Sequence, residues 1–239
     1  AALMAGRPSE LMYVETPLLE QLKKLGWTVV QLDDSEKHDP QKSFRESFSE
    51  VVIVSRLKAA LKRLNPWLND VQIDDLCRQI QDYPHPLKQV LENNEEVYDR
   101  ITEGLSADNE ETGEINCPVR LIDWTDVDAY DGPDVTDNDF LAISQYKIRI
   151  PGKEEHIIPD IVLFVNGLPL VVIECKAPDI TEPMAEGIDQ LMRYQNRRGA
   201  EEPEGVPELF YFNQIVMSTC FHDCRYSSIT GGVSHFMGW

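Results

Sequence analysis

The residues that could do chemistry lie around one hydrophobic segment. Asp160 comes immediately before the apolar run Ile161 to Val165, and Glu174 and Lys176 end the next apolar run. Side chains alternate along a strand, so Glu174 and Lys176 point to one face and Cys175 points to the other. The sequence therefore predicts a carboxylate and an ammonium group side by side, next to a core where charges are rare unless they are paired.

Whether Asp160 joins them depends on the register of a hairpin. A two-residue turn at Asn166-Gly167 places Asp160 opposite Ile173, on the face away from Glu174. A bulge or a three-residue turn instead places Asp160 opposite Glu174, with Cβ atoms about 5 Å apart. Two carboxylates at that separation favour Mg²⁺, and Lys176 could then activate water or stabilise charge on phosphorus. The residues alone leave both registers open, with a solvated salt pair at a strand end as the simplest alternative.

Hydrophobic periodicity predicts the elements that must position these residues. Helices are predicted over 14–25, 43–64, 71–81, 87–102 and 182–198. Strands are predicted over 27–31, 141–150, 161–165, 170–173 and 209–217. A double-proline break lies at 83–86, and the segments 106–117 and 123–139 have the composition of surface loops. This order describes an α/β or α+β sheet domain with helical decoration in its first hundred residues.

The chain is strongly acidic. Its 239 residues include 22 lysines and arginines against 42 aspartates and glutamates, a formal net charge of −20. A field of this sign repels phosphate backbones and argues against an autonomous nucleic-acid binder. Chemistry on DNA would need a local basic cleft, and the sequence offers seven cationic residues near the site: Lys147, Arg149, Lys153, Lys176, Arg193, Arg197 and Arg198.

Signals for membranes and secretion are missing from the sequence. No window approaches the roughly 18 consecutive apolar residues of a membrane span, and residues 1–10 lack the pattern of a secretory signal. The five cysteines are an odd number without a framework, which is typical of reduced thiols. Cys220, His222 and Cys224 lack the second ligand pair of a structural zinc site. The sequence predicts a cytoplasmic protein with no membrane partner and no disulfides.

Pro159-Asp160 and the segment from Asn166 to Lys176 resemble the PD-(D/E)xK nuclease core, specifically that of the R subunits of type I restriction-modification enzymes. Further segments similar to that family follow in the expected order: 15–27, 63–66, 121–124 and 190–194. The resemblance implies a restriction-endonuclease-like fold, with a central mixed β-sheet flanked by helices. It also implies a single nuclease domain over 1–239 with a helical insertion at about 43–105, and it favours the odd turn or bulge.

The resemblance also assigns roles to individual residues. Asp160, Glu174 and the backbone carbonyl of Cys175 would be metal ligands, and Lys176 would be the water-activating or charge-stabilising lysine. Two further sets of residues are implied. An acidic residue of the first helix would face the metal, with Glu15 as the match and Glu20 as the competing choice. Substrate contacts or support of the site would come from the Q-x-x-x-Y element and its neighbour: Gln190, Arg193 and Tyr194.

The implied activity is a Mg²⁺-dependent endonuclease acting on double-stranded DNA, in which Mn²⁺ substitutes. Its partners would be the methylase and specificity subunits of a restriction-modification complex. The sequence contains no Gly-x-x-x-x-Gly-Lys-Ser/Thr motif, so ATP would act only through motor domains that this chain lacks. Two rival functions are a catalytically silent nuclease-fold module for subunit docking and a small-molecule phosphodiesterase with a closed pocket.

Overall fold

A seven-stranded β-sheet with helices on both faces forms the centre of the computed structural model, which describes residues 9–82, 88–124 and 136–239. The predicted double-proline break and most of the predicted loop at 123–139 lie outside the described residues. The helices are α1 (Thr16–Lys24), α2 (Val54–Leu64), α3 (Asp70–Asp82), α4 (Val90–Glu103), α5 (Pro183–Tyr194) and α6 (Pro207–Phe212). The strands are β1 (Thr28–Val30), β2 (Leu105–Asn109), β3 (Glu114–Val119), β4 (Phe140–Ser144), β5 (Ile148–Arg149), β6 (His156–Ile157), β7 (Ile161–Val165), β8 (Leu168–Cys175), β9 (Ile215–Thr219), β10 (Cys224–Ser227) and β11 (Met237–Gly238).

The large sheet is mixed. Its strand order is β1-β4-β7-β8-β9-β10-β11, with parallel pairs at β1/β4 and β8/β9 and antiparallel pairs elsewhere. Strands β2/β3 and β5/β6 form two small separate hairpins. This arrangement confirms the predicted fold class, a restriction-endonuclease-like mixed sheet flanked by helices.

The hairpin of β7 and β8 has both a tight turn and a bulge. Asn166 and Gly167 form a two-residue turn, and both have the positive φ that a hairpin turn of this kind requires. The register then shifts by one residue within the ladder, so that Ile161 pairs with Ile173. Because of this bulge, the residue before Ile161 and the residue after Ile173 face each other.

Alternate residues of the central strands face two different helices. One cluster packs α1 and the turn before it against the sheet and contains Val14, Leu19, Leu22, Ala142, Ile161, Leu163, Ile173 and Cys175. On the other face, Ile188 and Leu191 of α5 pack in one cluster with strand residues that include Val162, Phe164, Val172 and Val216. Residues 174 and 176 are two and four positions beyond Val172, so strand alternation directs their side chains to the same face, that of α5.

Helices α2, α3 and α4 occupy most of the predicted helical insertion at 43–105. They share a core with α6 and with the hairpin turn, through buried residues that include Leu57, Leu61, Leu76, Ile80, Val97, Ile101, Leu168 and Tyr211. The division of the chain, a single domain over 1–239 with this insertion, stays a prediction.

The predicted helix over 43–64 is correct only from Val54 onward. Arg45 is buried, and its guanidinium donates to the backbone carbonyls of Glu50 and Lys147. These contacts hold the chain before Val54 in an irregular path. Hydrophobic periodicity cannot reveal such a tertiary constraint.

The predicted strand over 209–217 is wrong in its first half, because α6 ends at Phe212 and β9 begins at Ile215. Pro207 favours the first turn of a helix, where its missing N–H costs nothing. The side chain of Asn94 in α4 donates to the last carbonyls of α6 and stabilises its end. The aromatic residues that suggested a strand are buried in the core instead.

Two smaller corrections concern strands. The predicted strand over 141–150 is divided into β4 and β5, because Gln145 adopts a left-handed φ of 54°. The segment 106–117 was predicted as a loop, yet it lies largely in the hairpin of β2 and β3. The other predicted elements agree with the structure to within four residues at each end. No helix in the described ranges is long and apolar enough to cross a bilayer.

Candidate active site

The bulged hairpin places the two predicted carboxylates on one surface. Asp160 is 8% exposed and Glu174 is 0% exposed, and they occupy facing positions at the end of the β7/β8 ladder. Asp160 Oδ2 accepts a hydrogen bond of 2.7 Å from the backbone N–H of Cys175. The backbone of one strand thus orients the carboxylate of the other.

Lys176 extends the same face beyond the end of β8. Its Nζ lies 3.3 Å from Glu174 Oε2 and 3.9 Å from Glu10 Oε1, and its backbone N–H donates to the carbonyl of Thr219. Burial acts to lower the pKa of Lys176, but the charges of Glu174, Asp160 and Glu10 together hold that pKa above its ordinary value. Lys176 is therefore an ammonium ion at neutral pH.

Glu15, one of the two acids predicted from the first helix, lies beside this group. It is 2% exposed, and its Oε2 accepts a hydrogen bond of 3.1 Å from Gln145 Nε2, which also lies 3.4 Å from Asp160 Oδ1. Glu20 is exposed and pairs with Lys23 at 2.7 Å. The structure thus brings Glu15, and not Glu20, beside the cluster of buried carboxylates that Asp160 and Glu174 form.

The site holds more negative charge than its polar partners satisfy. Burial and the charge of Asp160 raise the pKa of Glu15 to about 7, and the same two causes raise the pKa of Glu174 well above its ordinary value. Burial also raises the pKa of Asp160. In the described part of the chain, the buried atoms Glu15 Oε1 and Glu174 Oε1 have no hydrogen-bond partner. Such orphaned carboxylate oxygens fit a hard cation.

The cluster is not a complete cage for a metal. Within the described ranges, no three His, Cys, Asp or Glu side chains converge closely enough to hold an ion by themselves. Mg²⁺ commonly keeps several waters and uses only one or two carboxylates, so this donor set still suits it. Within the same ranges, Cys220, His222 and Cys224 do not converge as a group of three either.

The raised pKa of Glu15 makes stability depend on pH. Because the folded protein holds this proton more tightly than the unfolded chain, the contribution of Glu15 to stability is highest below pH 4.5 and falls as pH rises toward 7. In EDTA, we expect Glu15→Gln to remove this loss, which amounts to about 2 kcal/mol at pH 8 after an allowance for solvent screening. Urea unfolding of both proteins between pH 4 and pH 8 measures the difference.

Glu20→Gln is the matched control for this experiment. Glu20 lies in α1, just beyond Glu15, but Lys23 lowers its pKa, so the change should not flatten the pH profile. A Glu15→Gln profile parallel to that of the wild type would contradict the placement of a buried, proton-binding acid at this position.

Gln190 and Tyr194 form a hydrogen-bonded pair on α5. Gln190 Nε2 lies 2.6 Å from the Tyr194 hydroxyl, which donates to the backbone carbonyl of Ile158 at 3.3 Å. Tyr194 is only 1% exposed, and burial raises its pKa. The pair connects α5 to the segment before Asp160, an arrangement that favours support of the site over direct contact with DNA. Arg193 is partly buried, with its guanidinium 5.1 Å from the Tyr194 ring.

Helix α5 approaches the site closely because of one glycine. A Cβ atom on Gly187 would lie 2.1 Å from Ser218 Oγ and 3.4 Å from Lys176 Cγ. Ser218 is the partner of Glu174 in the parallel ladder of β8 and β9. Only glycine therefore lets α5 pack this tightly over the strand ends that carry Glu174 and Lys176.

Most of the cations that the sequence offered for a basic cleft have partners within the chain. Arg149 pairs with Glu154 and Lys153 with Glu202. Two further arginines are also engaged: Arg198 pairs with Asp189 and Glu204, and Arg197 donates to the carbonyls of Ile229 and Gly231. Local acids and carbonyls thus neutralise or occupy most of the residues that the sequence offered for DNA.

Cys175 has the orientation that strand alternation predicts. Its side chain is fully buried in the cluster beneath α1, on the face away from Glu174 and Lys176. Burial raises the pKa of its thiol. The sulfur is thus a small apolar group in the core, and all five cysteines are free thiols in the structure.

Two residues at the site were missed by the sequence analysis. Glu10 accepts a hydrogen bond from the backbone N–H of Ala177 and contacts Lys176, and Gln145 contacts both Glu15 and Asp160. The only sequence signal for Gln145 is a polar interruption of the predicted strand over 141–150. Nothing in the pattern around Glu10 distinguishes it from a surface acid.

Comparison with known proteins identifies the family of this chain. The family described as type I restriction enzyme R protein N terminus matches residues 7–232. The type I restriction enzyme HindI endonuclease subunit of Haemophilus influenzae is 29% identical over 95% of this chain and 20% of its own length. The putative type I restriction enzyme MjaIXP endonuclease subunit of Methanocaldococcus jannaschii is 23% identical over 98% of this chain and 21% of its own length. The chain thus spans about a fifth of these relatives, and it belongs to the family of type I restriction enzyme R protein N-terminal regions.

Proposed function

We propose that this chain is a divalent-metal-dependent endonuclease domain that hydrolyses phosphodiester bonds of double-stranded DNA. The observation that carries the proposal is the β-bulge, which sets Asp160 opposite Glu174 and next to the ammonium group of Lys176. If Lys176 only formed an ion pair that stabilises the fold, one acid beside it would be enough. Here three acids are buried together, and two of their oxygen atoms lack donors among the described residues.

The donors present suit Mg²⁺, with Mn²⁺ as a substitute. Asp160, Glu174 and the backbone carbonyl of Cys175 would hold the cation, and Glu15 adds a third carboxylate beside Asp160. A bound divalent cation supplies positive charge to a phosphate and lowers the pKa of water. All of these protein donors are oxygen atoms, which are the ligands that Mg²⁺ prefers.

Lys176 has a role that follows from its charge state. In the metal-free chain, surrounding carboxylates hold the pKa of Lys176 above its ordinary value, so the ammonium group keeps its proton there rather than acting as a base. It is suited instead to stabilise negative charge that develops on the phosphate oxygens. Glu174, at 3.3 Å, keeps the ammonium at the end of β8, and Gln190 and Tyr194 support the segment before Asp160.

Delivery of DNA falls to other parts of the proposed enzyme. The chain carries a net charge of −20, and most cations near the site are already engaged. We therefore propose weak DNA binding by this domain alone and dependence on methylase and specificity subunits and on ATP-driven motor domains. This assembly would be cytoplasmic and would act on unmodified foreign DNA.

Calorimetric titration of this chain with Mn²⁺ tests the proposal. We expect the wild type to bind the ion and Asp160→Asn to weaken binding by about a hundredfold, since the variant loses one charged ligand. Asp139→Asn is the control. Asp139 is partly buried and pairs with Arg56, but it lies just before β4, at the end of that strand away from Gln145 and the site.

The outcomes separate the nuclease from its rival. Absence of Mn²⁺ binding in the wild type would favour a catalytically silent docking module. Equal binding by the wild type and Asp160→Asn would place the ion elsewhere and contradict the proposed ligands.

A further inference from the structure

Gln145 lies at the point where β4 ends and the chain turns toward the site. Its φ of 54° is left-handed, a conformation that a residue with a long side chain seldom adopts. Its backbone N–H nevertheless donates to the carbonyl of Asp160 at 2.8 Å. The backbone is thus held next to Asp160 while the left-handed turn breaks the alternation of the strand.

This conformation brings the Gln145 amide between two acids. Nε2 lies 3.1 Å from Glu15 Oε2 and 3.4 Å from Asp160 Oδ1, although the three residues come from different segments of the chain. The other oxygen of Asp160 is held by the backbone N–H of Cys175 at 2.7 Å. Asp160 is therefore oriented by one donor at each oxygen, and Gln145 is the donor shared with Glu15.

The carboxylate oxygens of Glu15 and Glu174 differ in whether they have a hydrogen-bond partner. The oxygen of Glu15 that faces Gln145 is hydrogen-bonded, whereas Glu15 Oε1 and Glu174 Oε1 lack partners in the ranges that the structure describes. Unfavourable backbone conformations persist where the surroundings enforce them, and they are concentrated at functional sites. The left-handed conformation of Gln145 directs its amide toward Glu15 and Asp160. An ordinary strand conformation would direct the side chain elsewhere.

We infer that Gln145 is a positioning residue of the metal site, whose amide holds Glu15 and Asp160 in the orientation that leaves their remaining lone pairs for a divalent cation. This inference rests on the proposed function. Gln145 acts through the carboxylates, so its loss should weaken the cation without removing any charged ligand. Loss of a residue that orients ligands typically costs ten- to a hundredfold in metal affinity.

Mn²⁺ titration of the Gln145→Met variant tests the inference. Methionine keeps the length of the side chain and removes the amide, and we expect Mn²⁺ affinity to fall at least tenfold. The increase in unfolding midpoint that Mg²⁺ produces should shrink in parallel. Gln145→Gly is the second variant, because glycine accepts the left-handed φ without strain, and it should show the same loss of affinity with the fold retained.

Gln72→Met is the matched control. Gln72, in α3, is also partly buried, and its amide donates to one backbone carbonyl, that of Asp108 in β2. Its Mn²⁺ affinity should equal that of the wild type. Wild-type affinity in Gln145→Met or Gln145→Gly would overturn the inference and leave the proposed function intact. Failure of the wild type itself to bind Mn²⁺ would overturn both.

Discussion

Replacing Lys176 with methionine is expected to reduce DNA cleavage by about a thousandfold or more, because it removes the only ammonium group that contacts Glu174 in the described structure. Methionine preserves most of the buried stem, so the packing against α5 should remain. Metal binding should be retained or strengthened, since a positive charge is lost beside the carboxylates. The signature of the variant is therefore an inactive enzyme that still binds Mn²⁺.

Plasmid nicking by the complete R subunit in its proposed complex measures this effect, with translocation of DNA as the internal reference. Translocation should continue while cleavage is lost. Lys58→Met is the control, because Lys58 also pairs with an acid, Asp74, but lies in α2, outside the candidate site. Retained cleavage by Lys176→Met would remove the lysine from the mechanism.

The β7/β8 hairpin shows which parts of the site could be predicted from the sequence and which could not. Alternation along β8 predicted the shared face of Glu174 and Lys176, and the Asn166-Gly167 signal predicted the turn. Apolar periodicity could not decide between the two registers, and the one local mark of the bulge is Pro169, which lies directly beside it. The family resemblance favoured the bulge, and the structure confirms it.

The parts that could not be predicted depend on contacts between distant segments. Gln145 reaches Glu15 across 130 positions, and Arg45 reaches the carbonyl of Lys147 across 102. The pairing of Lys153 with Glu202 could not be predicted for the same reason, since only the folded chain brings this partner near. The basic cleft itself stays a prediction. Sequence patterns report which face of an element is apolar, whereas these polar pairings are set by tertiary structure.

Glu174→Gln is expected to have opposite effects on stability and on metal binding. Burial and the charge of Asp160 raise the pKa of Glu174, so ionisation destabilises the folded protein as pH rises. In EDTA at pH 8, the neutral amide should increase the free energy of unfolding by about 2 kcal/mol, the order of an unsatisfied buried group. Near pH 4 the two proteins should be equally stable. Mn²⁺ affinity should fall about a hundredfold, because a charged ligand is lost.

Glu208→Gln separates this trade-off from a general effect of buried acids. Glu208 lies in α6 and also has a buried oxygen without a partner in the described ranges and a pKa raised by burial. Its replacement should increase metal-free stability at pH 8 and leave Mn²⁺ binding unchanged. Loss of stability in Glu174→Gln at pH 8 would instead mean that the ion pair with Lys176 outweighs burial and repulsion, which is the behaviour of a structural salt bridge. An increase in the free energy of unfolding of Glu174→Gln at pH 8 thus indicates an acid that serves a cation, and a decrease indicates an acid that stabilises the fold.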